Sequence, residues 1–236
     1  LQPVQVPDAY CVRREREWAL ADRVVVNSEF RRRALIRQGV PEEKLVVIPL
    51  CYEVTGSNRK SEIGNRKSDQ SLRVLFLGQV ILRKGIQYLM AAAKLLEREN
   101  IQFDVVGPVG ISREAVATAP KNLTFHGRAG RDQTAEWYRR SDVFVLPTLS
   151  DGFAITQLEA MAYGLPVVTT PCCGEVVTDG ADGFVVPERD PAALAAAFQR
   201  YLREPELRHS HAVAAREKSR QFSLDRLAAN LMKLEA

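Results

Sequence analysis

Val143-Phe144-Val145-Leu146-Pro147-Thr148-Leu149-Ser150-Asp151-Gly152-Phe153-Ala154-Ile155-Thr156-Gln157-Leu158-Glu159-Ala160-Met161-Ala162-Tyr163-Gly164-Leu165-Pro166-Val167-Val168 reads as strand, turn, helix, strand. The first four residues are an apolar run too short for a helix and right for a buried strand. Pro147 to Gly152 carry turn residues. The pattern then predicts a helix over 153–163, stopped by Gly164 and Pro166. A second apolar run, 166–169, follows at once. A strand, a short helix and another strand make a βαβ unit, and βαβ units build parallel sheets.

The unit repeats outward from this stretch. Strands are expected at 72–77, 102–106, 122–126, 143–146, 166–169 and 183–186, and helices at 85–98, 132–140, 153–163 and 191–203. The fold class is therefore α/β, a Rossmann-like parallel sheet flanked by helices. Right-handed crossovers bring every strand's carboxyl end to one rim, where ligands bind. Gly78 to Lys84 follows the first of these strands, Gly107 to Gly110 the second and His126 to Gly130 the third. Pro147 to Ala154 follows the fourth, and Thr170 to Gly174 the fifth.

Two acids mark the fourth segment. Asp151 is expected at the helix start, where a carboxylate suits unpaired N–H groups and the positive dipole end. Glu159 lies eight residues on, roughly 12 Å along an ideal axis and within about a quarter turn of the same face. The N–H groups of Gly152, Phe153 and Ala154, at the start of such a helix, suit a phosphate. Two acids around a phosphate fit a ligand that also carries hydroxyls, as a nucleotide-sugar does. The plainer alternative is a helix cap at Asp151 and a solvated residue at Glu159. Against it, Glu159 sits among Leu158, Ala160, Met161 and Ala162, where an unpaired acid is expensive to bury.

The stretch "DGFA…LEAMAYGLPVV" resembles the E-x7-E signature of the retaining GT-B glycosyltransferases of family 4, "EGFG…EAMA-G-PVV". It departs at Asp151, where the family usually has Glu. The run "ADRVVVNSEF…LIRQGVPEEKLVVIPL" is similar to the segment that closes the family's N-terminal, acceptor-binding half. Gly78-Gln79-Val80-Ile81-Leu82-Arg83-Lys84-Gly85 resembles the family's "GR…KG" loop, with Gln79 in place of the Arg. The resemblance implies a sugar transfer from a nucleotide diphosphate donor. Lys84, Asp151 and Glu159 are the implied catalytic positions: Lys84 neutralises the diphosphate, Asp151 holds the sugar hydroxyls and Glu159 holds the ribose. Gly78, Gln79, Arg83, Lys84, Gly127, Arg128, Gly152, Phe153, Ala154, Ile155 and Glu159 are the implied donor-binding set. Arg83 stands in for the missing Arg from another direction. His126 either edges the nucleobase pocket or is a structural histidine, the second being favoured.

Length and composition agree with this. The 236 residues are 46% hydrophobic and 26% charged, as in a globular protein with a full core. A net charge of +4 argues weakly for anionic ligands and not for nucleic acid. The four cysteines lack metal spacing, and reduced thiols suit a cytoplasmic protein. Cys172 and Cys173 are read as small packing residues. No D-x-D pair occurs, so no cofactor and no metal are expected.

Residues 1–50 are expected to be a remnant of the acceptor half and the crossover, without the rest of that half. Val24 to Val26 is expected as a short buried strand with no earlier strand to pair with. A helix capped at Asn27 or Ser28 follows, then the run Leu45 to Pro49. Residues 51–236 are expected to be the donor-binding domain. Within it, 53–71 is a polar loop in which Asn-Arg-Lys-Ser occurs twice, Glu204-Pro205 is a break, and 224–236 is a C-terminal helix whose leucine stripe is partly bare. Arg31-Arg32-Arg33 is read as a solvated face, with peripheral membrane contact as the minor alternative. The implied partners are the nucleotide-sugar donor, the N-terminal domain and a carbohydrate or lipid-linked acceptor. By itself the chain is expected to bind nucleotide weakly and not to catalyse transfer. The rivals are a non-catalytic nucleotide-sugar-binding module, which Gln79 and Asp151 favour, and another GT-B enzyme such as a nucleotide-sugar epimerase.

Overall fold

Six apolar runs pair side by side, all parallel, in the computed structural model, which describes residues 7–53 and 71–234, the side chains of residues 131 and 132 excepted. The strands are β3 (Leu72–Leu77), β4 (Ile101–Val106), β5 (Leu123–Gly127), β6 (Val143–Leu146), β7 (Val167–Thr169) and β8 (Gly183–Val185), in the spatial order β5-β4-β3-β6-β7-β8. The register runs Leu72 to Ile101, Val74 to Val143, Phe144 to Val167 and Val167 to Gly183. The order reverses direction between β3 and β6, so the loops after these two strands face each other across the switch point where α/β sheets bind ligands.

Helices cover both faces. Those of this sheet are α3 (Ile86–Leu95), α4 (Arg113–Ala117), α5 (Arg131–Arg139), α6 (Ile155–Ala162), α7 (Pro191–Arg203) and α8 (Pro205–Ser219). Helix α3 packs on α7, whose Phe198 also meets Phe103 of β4 edge-on, and α6 packs on α8. The strands are buried throughout, so they read as continuous apolar runs. Asp190 caps α7 through Ala193 N at 2.9 Å, with Pro191 in the first turn.

A second, smaller unit precedes this sheet. It comprises α1 (Asp8–Leu20), β1 (Val24–Val26), α2 (Glu29–Ile36) and β2 (Leu45–Val47). Val26, Leu35, Val40 and Leu45 form its core, with Trp18 packed against them. Strand β1 pairs in parallel with the later β2, and Val25 is 46% exposed, so the buried strand expected there is covered on one side only. Ser28 caps α2 by accepting from Arg31 N. The last helix, α9 (Leu224–Met232), is tied to the segment after β2 by Tyr52 N to Phe222 O and Leu224 N to Glu53 Oε1. Leu224 and Leu231 of its stripe are exposed.

Three points differ from expectation. Glu204-Pro205 is the break foreseen, closing α7 at Arg203, but the helix beyond it was not expected: Pro205 opens α8 at the position where a missing N–H costs nothing. The helix after β6 begins at Ile155, not 153, so ideal helical spacing does not relate Asp151 to Glu159. Helices α1 and α4 were not expected at all. The Asn-Arg-Lys-Ser repeats, nearly all of 53–71, and residues 1–6 and 235–236 lie outside the described residues.

Candidate functional site

The loops at the carboxyl rim are joined one to the next by hydrogen bonds. Gly107 N donates to Gly127 O, linking the loops after β4 and β5. Gly78 N donates to Val106 O and Gly110 N to Val80 O, linking those after β3 and β4. Leu149 N and Thr148 Oγ1 both donate to Arg83 O, linking those after β3 and β6. Asp151 N donates to Cys172 O and Thr170 Oγ1 to Thr148 O, linking those after β6 and β7. Two glycines make this possible. A Cβ on Gly107 would lie 1.8 Å from Gly78 O, and one on Gly85 would lie 1.7 Å from Pro147 O.

Lys84 and Asp151 meet across the switch point. The Lys84 ammonium donates to Asp151 Oδ2, and both side chains are about 15% exposed. Asp151 Oδ1 accepts from Phe153 N at 3.4 Å and Ala154 N at 3.1 Å. Asp151 therefore organises the loop before α6 and does not cap the helix. The amides of Phe153 and Ala154, expected to be unpaired, are occupied by it. Ala154 takes φ 57°, a left-handed conformation, at the position where the family pattern has Gly. It turns the chain into α6, which has no side-chain cap, and with Gln157 N bonded to Ala154 O the leading amides of Ile155 and Thr156 are the ones open to an anion.

Arg83 donates to Ser150 O at 2.5 Å and so braces the same loop. Gln79 is exposed on the loop after β3. Gly127 and Arg128 lie at the β5 end of the rim, and no described contact joins them to Lys84 or Asp151. The smaller unit reaches the loop too. Ser28 Oγ donates to Gly152 O, and Glu175 accepts from Phe30 N and the Arg33 guanidinium. Asn27 lies over Gly152.

Glu159, one turn into α6, accepts from the Tyr138 hydroxyl at 2.7 Å. That tyrosine was not anticipated; the acid among apolar neighbours was the signal that a partner must exist. His126 has structural partners: its Nε2–H donates to buried Asp104 at 2.6 Å, and its ring lies against Trp137. Arg73 binds the same carboxylate at 2.7 and 3.2 Å. Burial pushes the Cys173 thiol up to about 11, so it remains protonated, and Cys172 is also raised. Cys173 packs in the core, and Cys172 is half-buried beside it. No described helix is long and apolar enough to cross a membrane.

Residues 71–204 match the family model described as Glycosyl transferases group 1. The chain belongs to that family. Among curated relatives of this group 1 chain, the D-inositol 3-phosphate glycosyltransferase of Geodermatophilus obscurus is 30% identical over 96% of the chain and 55% of its own length. That of Streptomyces griseus is 32% identical over 65% of the chain and 36% of its own. The chain spans about half the length of the curated relatives it matches. Solved structures share the fold, among them the following two. Sucrose-phosphate synthase from Thermosynechococcus elongatus superimposes with a TM-score of 0.78 at 24% identity, over 100% of this chain and 63% of that one. Anabaena Alr3699/HepE, in complex with UDP and glucose, gives 0.80 at 17%, over 99% and 68%. These likenesses establish a GT-B type of α/β fold.

Proposed function

We propose that residues 51–236 are the donor-binding domain of a retaining, family 4 glycosyltransferase and that residues 1–50 belong to its acceptor side. The reaction is transfer of a sugar from a nucleotide diphosphate to a carbohydrate or lipid-linked acceptor. The observation that carries this is the Lys84–Asp151 pair, which joins two rim loops in front of an α6 start with no side-chain cap. A diphosphate entering there takes the Lys84 cation and the leading amides of α6. Those groups stabilise the charge that builds on the leaving phosphate, and they do so most where water is excluded. Asp151, released by Lys84, then meets sugar hydroxyls, and Glu159 takes the ribose. No metal is assigned a role, since the cation and the amides carry the charge. The relatives are about twice as long as the matched span, which supports placing the acceptor site in a larger protein and expecting no turnover from this chain alone. We place that protein in the cytoplasm, with peripheral membrane contact through the α2 arginines as an option.

One observation favours a second reading, a module that holds the donor without transferring the sugar. Both oxygens of Asp151 are engaged, one by Lys84 and one by backbone amides, and Asp is shorter than the family's Glu. Calorimetry with UDP, GDP and their sugars tests the first reading. Binding of one nucleotide in the micromolar to millimolar range supports it, and no binding by either removes it. Asp151→Glu in the full-length protein separates the two readings: under the second, transfer appears only in the variant.

A further inference from the structure

Among the described residues, Tyr138 is the one fully buried tyrosine whose hydroxyl touches an acid of the candidate site. Its residue is 1% exposed. The ring stacks on Tyr163 at 5.2 Å and 17°, and leans on Phe144. Its hydroxyl lies 2.7 Å from Glu159 Oε2 and 3.4 Å from Thr156 O, so the single hydrogen goes to the carboxylate. Burial, then the Glu159 charge, hold this phenol well above its ordinary value. It therefore stays a donor at any working pH. No described residue bonds to Glu159 Oε1.

We propose that Tyr138 is a positioning residue: it fixes one oxygen of Glu159 and so aims the other at a vicinal diol, the nucleotide's ribose. The inference rests on the donor-site reading above. A carboxylate on a helix turns about its side-chain torsions in solution. Anchoring Oε2 to a ring that cannot move leaves one direction for Oε1 and removes the ordering cost from ligand binding. The geometry also explains a fully buried tyrosine on α5, a mostly polar helix.

The test compares the nucleotide that binds with its 2′,3′-dideoxy analogue, by calorimetry on the whole chain. The wild type is expected to prefer the diol by roughly ten- to a hundredfold, the range of a hydrogen bond to a charged group. Tyr138→Phe keeps the ring and is expected to lose most of that preference while binding the dideoxy analogue as before. In a Glu159→Ala background Tyr138→Phe should have no further effect, because the two act as a unit. Full diol preference in Tyr138→Phe, or an equal loss for both ligands, overturns the inference. A wild type with no diol preference overturns the ribose assignment of Glu159 and the inference with it. Glu159→Asp covers the case in which Tyr138→Phe does not fold. It keeps the charge but withdraws the carboxylate from the hydroxyl, and undiminished preference there overturns the inference as well.

Discussion

Replacing Gly85 by Ala should open the site without touching a charged group. Gly85 has φ 79°, so any L side chain there costs about 1–2 kcal/mol before it meets a neighbour. The added Cβ would then lie 1.7 Å from Pro147 O, which belongs to backbone and cannot rotate away. The loops after β3 and β6 must part. That weakens the bonds from Leu149 N (2.8 Å) and Thr148 Oγ1 (3.1 Å) to Arg83 O. At about 1 kcal/mol each, the total loss is about 3–4 kcal/mol. Urea unfolding measures it as a lower midpoint at unchanged slope. The same variant should lose nucleotide diphosphate affinity, because Lys84 no longer stands opposite α6. A Gly85→Ala protein with wild-type stability would refute the reasoning about loop approach. Wild-type nucleotide affinity in a destabilised variant would refute the link between that approach and the site.

Lys84→Ala should weaken UDP or GDP by roughly thirtyfold, about 2 kcal/mol, and leave the parent nucleoside's affinity alone; paired titrations of nucleotide and nucleoside decide this. Asp104→Ala should cost about 3 kcal/mol in chemical denaturation, the lower end for a broken buried pair because Arg73 is 31% exposed. The third concerns His211, on the buried face of α8. Its Nε2–H donates to Gly180 O and its Nδ1 accepts from Tyr201. Burial lowers its folded value below the ordinary ~6.5, so the unfolded chain binds the proton first. Its contribution is intact above about pH 6.5 and is lost as pH falls through the lower folded value. Stability measured from pH 7 to 5 should fall less steeply in His211→Asn than in the wild type.

Much of the frame was legible because strands buried on both faces show as apolar runs between turn residues. β3, β6 and α7 lie where those signals put them, and Asp190-Pro191 marks the start of α7 without ambiguity. Helix α8 was hidden because its buried face is His211, Ala212, Ala215 and Ser219, which leave no apolar period to find. The site was legible as a set of loops but not as contacts. Which cation meets Asp151 depends on β3 and β6 being neighbours, and on Gly85 letting their loops touch. Asp151 was expected at the helix start, but a left-handed Ala154 shifts that start by two residues. Tyr138 went unseen because its role depends on its side chain reaching from α5 to Glu159 on α6. Only the unpaired acid at Glu159 hinted at it.

A crystal structure of the chain with UDP or GDP tests the central claim most directly. The account predicts a diphosphate between the Lys84 ammonium and the first amides of α6, with Lys84 drawn off Asp151 and the ribose against Glu159. A nucleotide lodged elsewhere on the molecule, with the Lys84–Asp151 pair undisturbed, would contradict it.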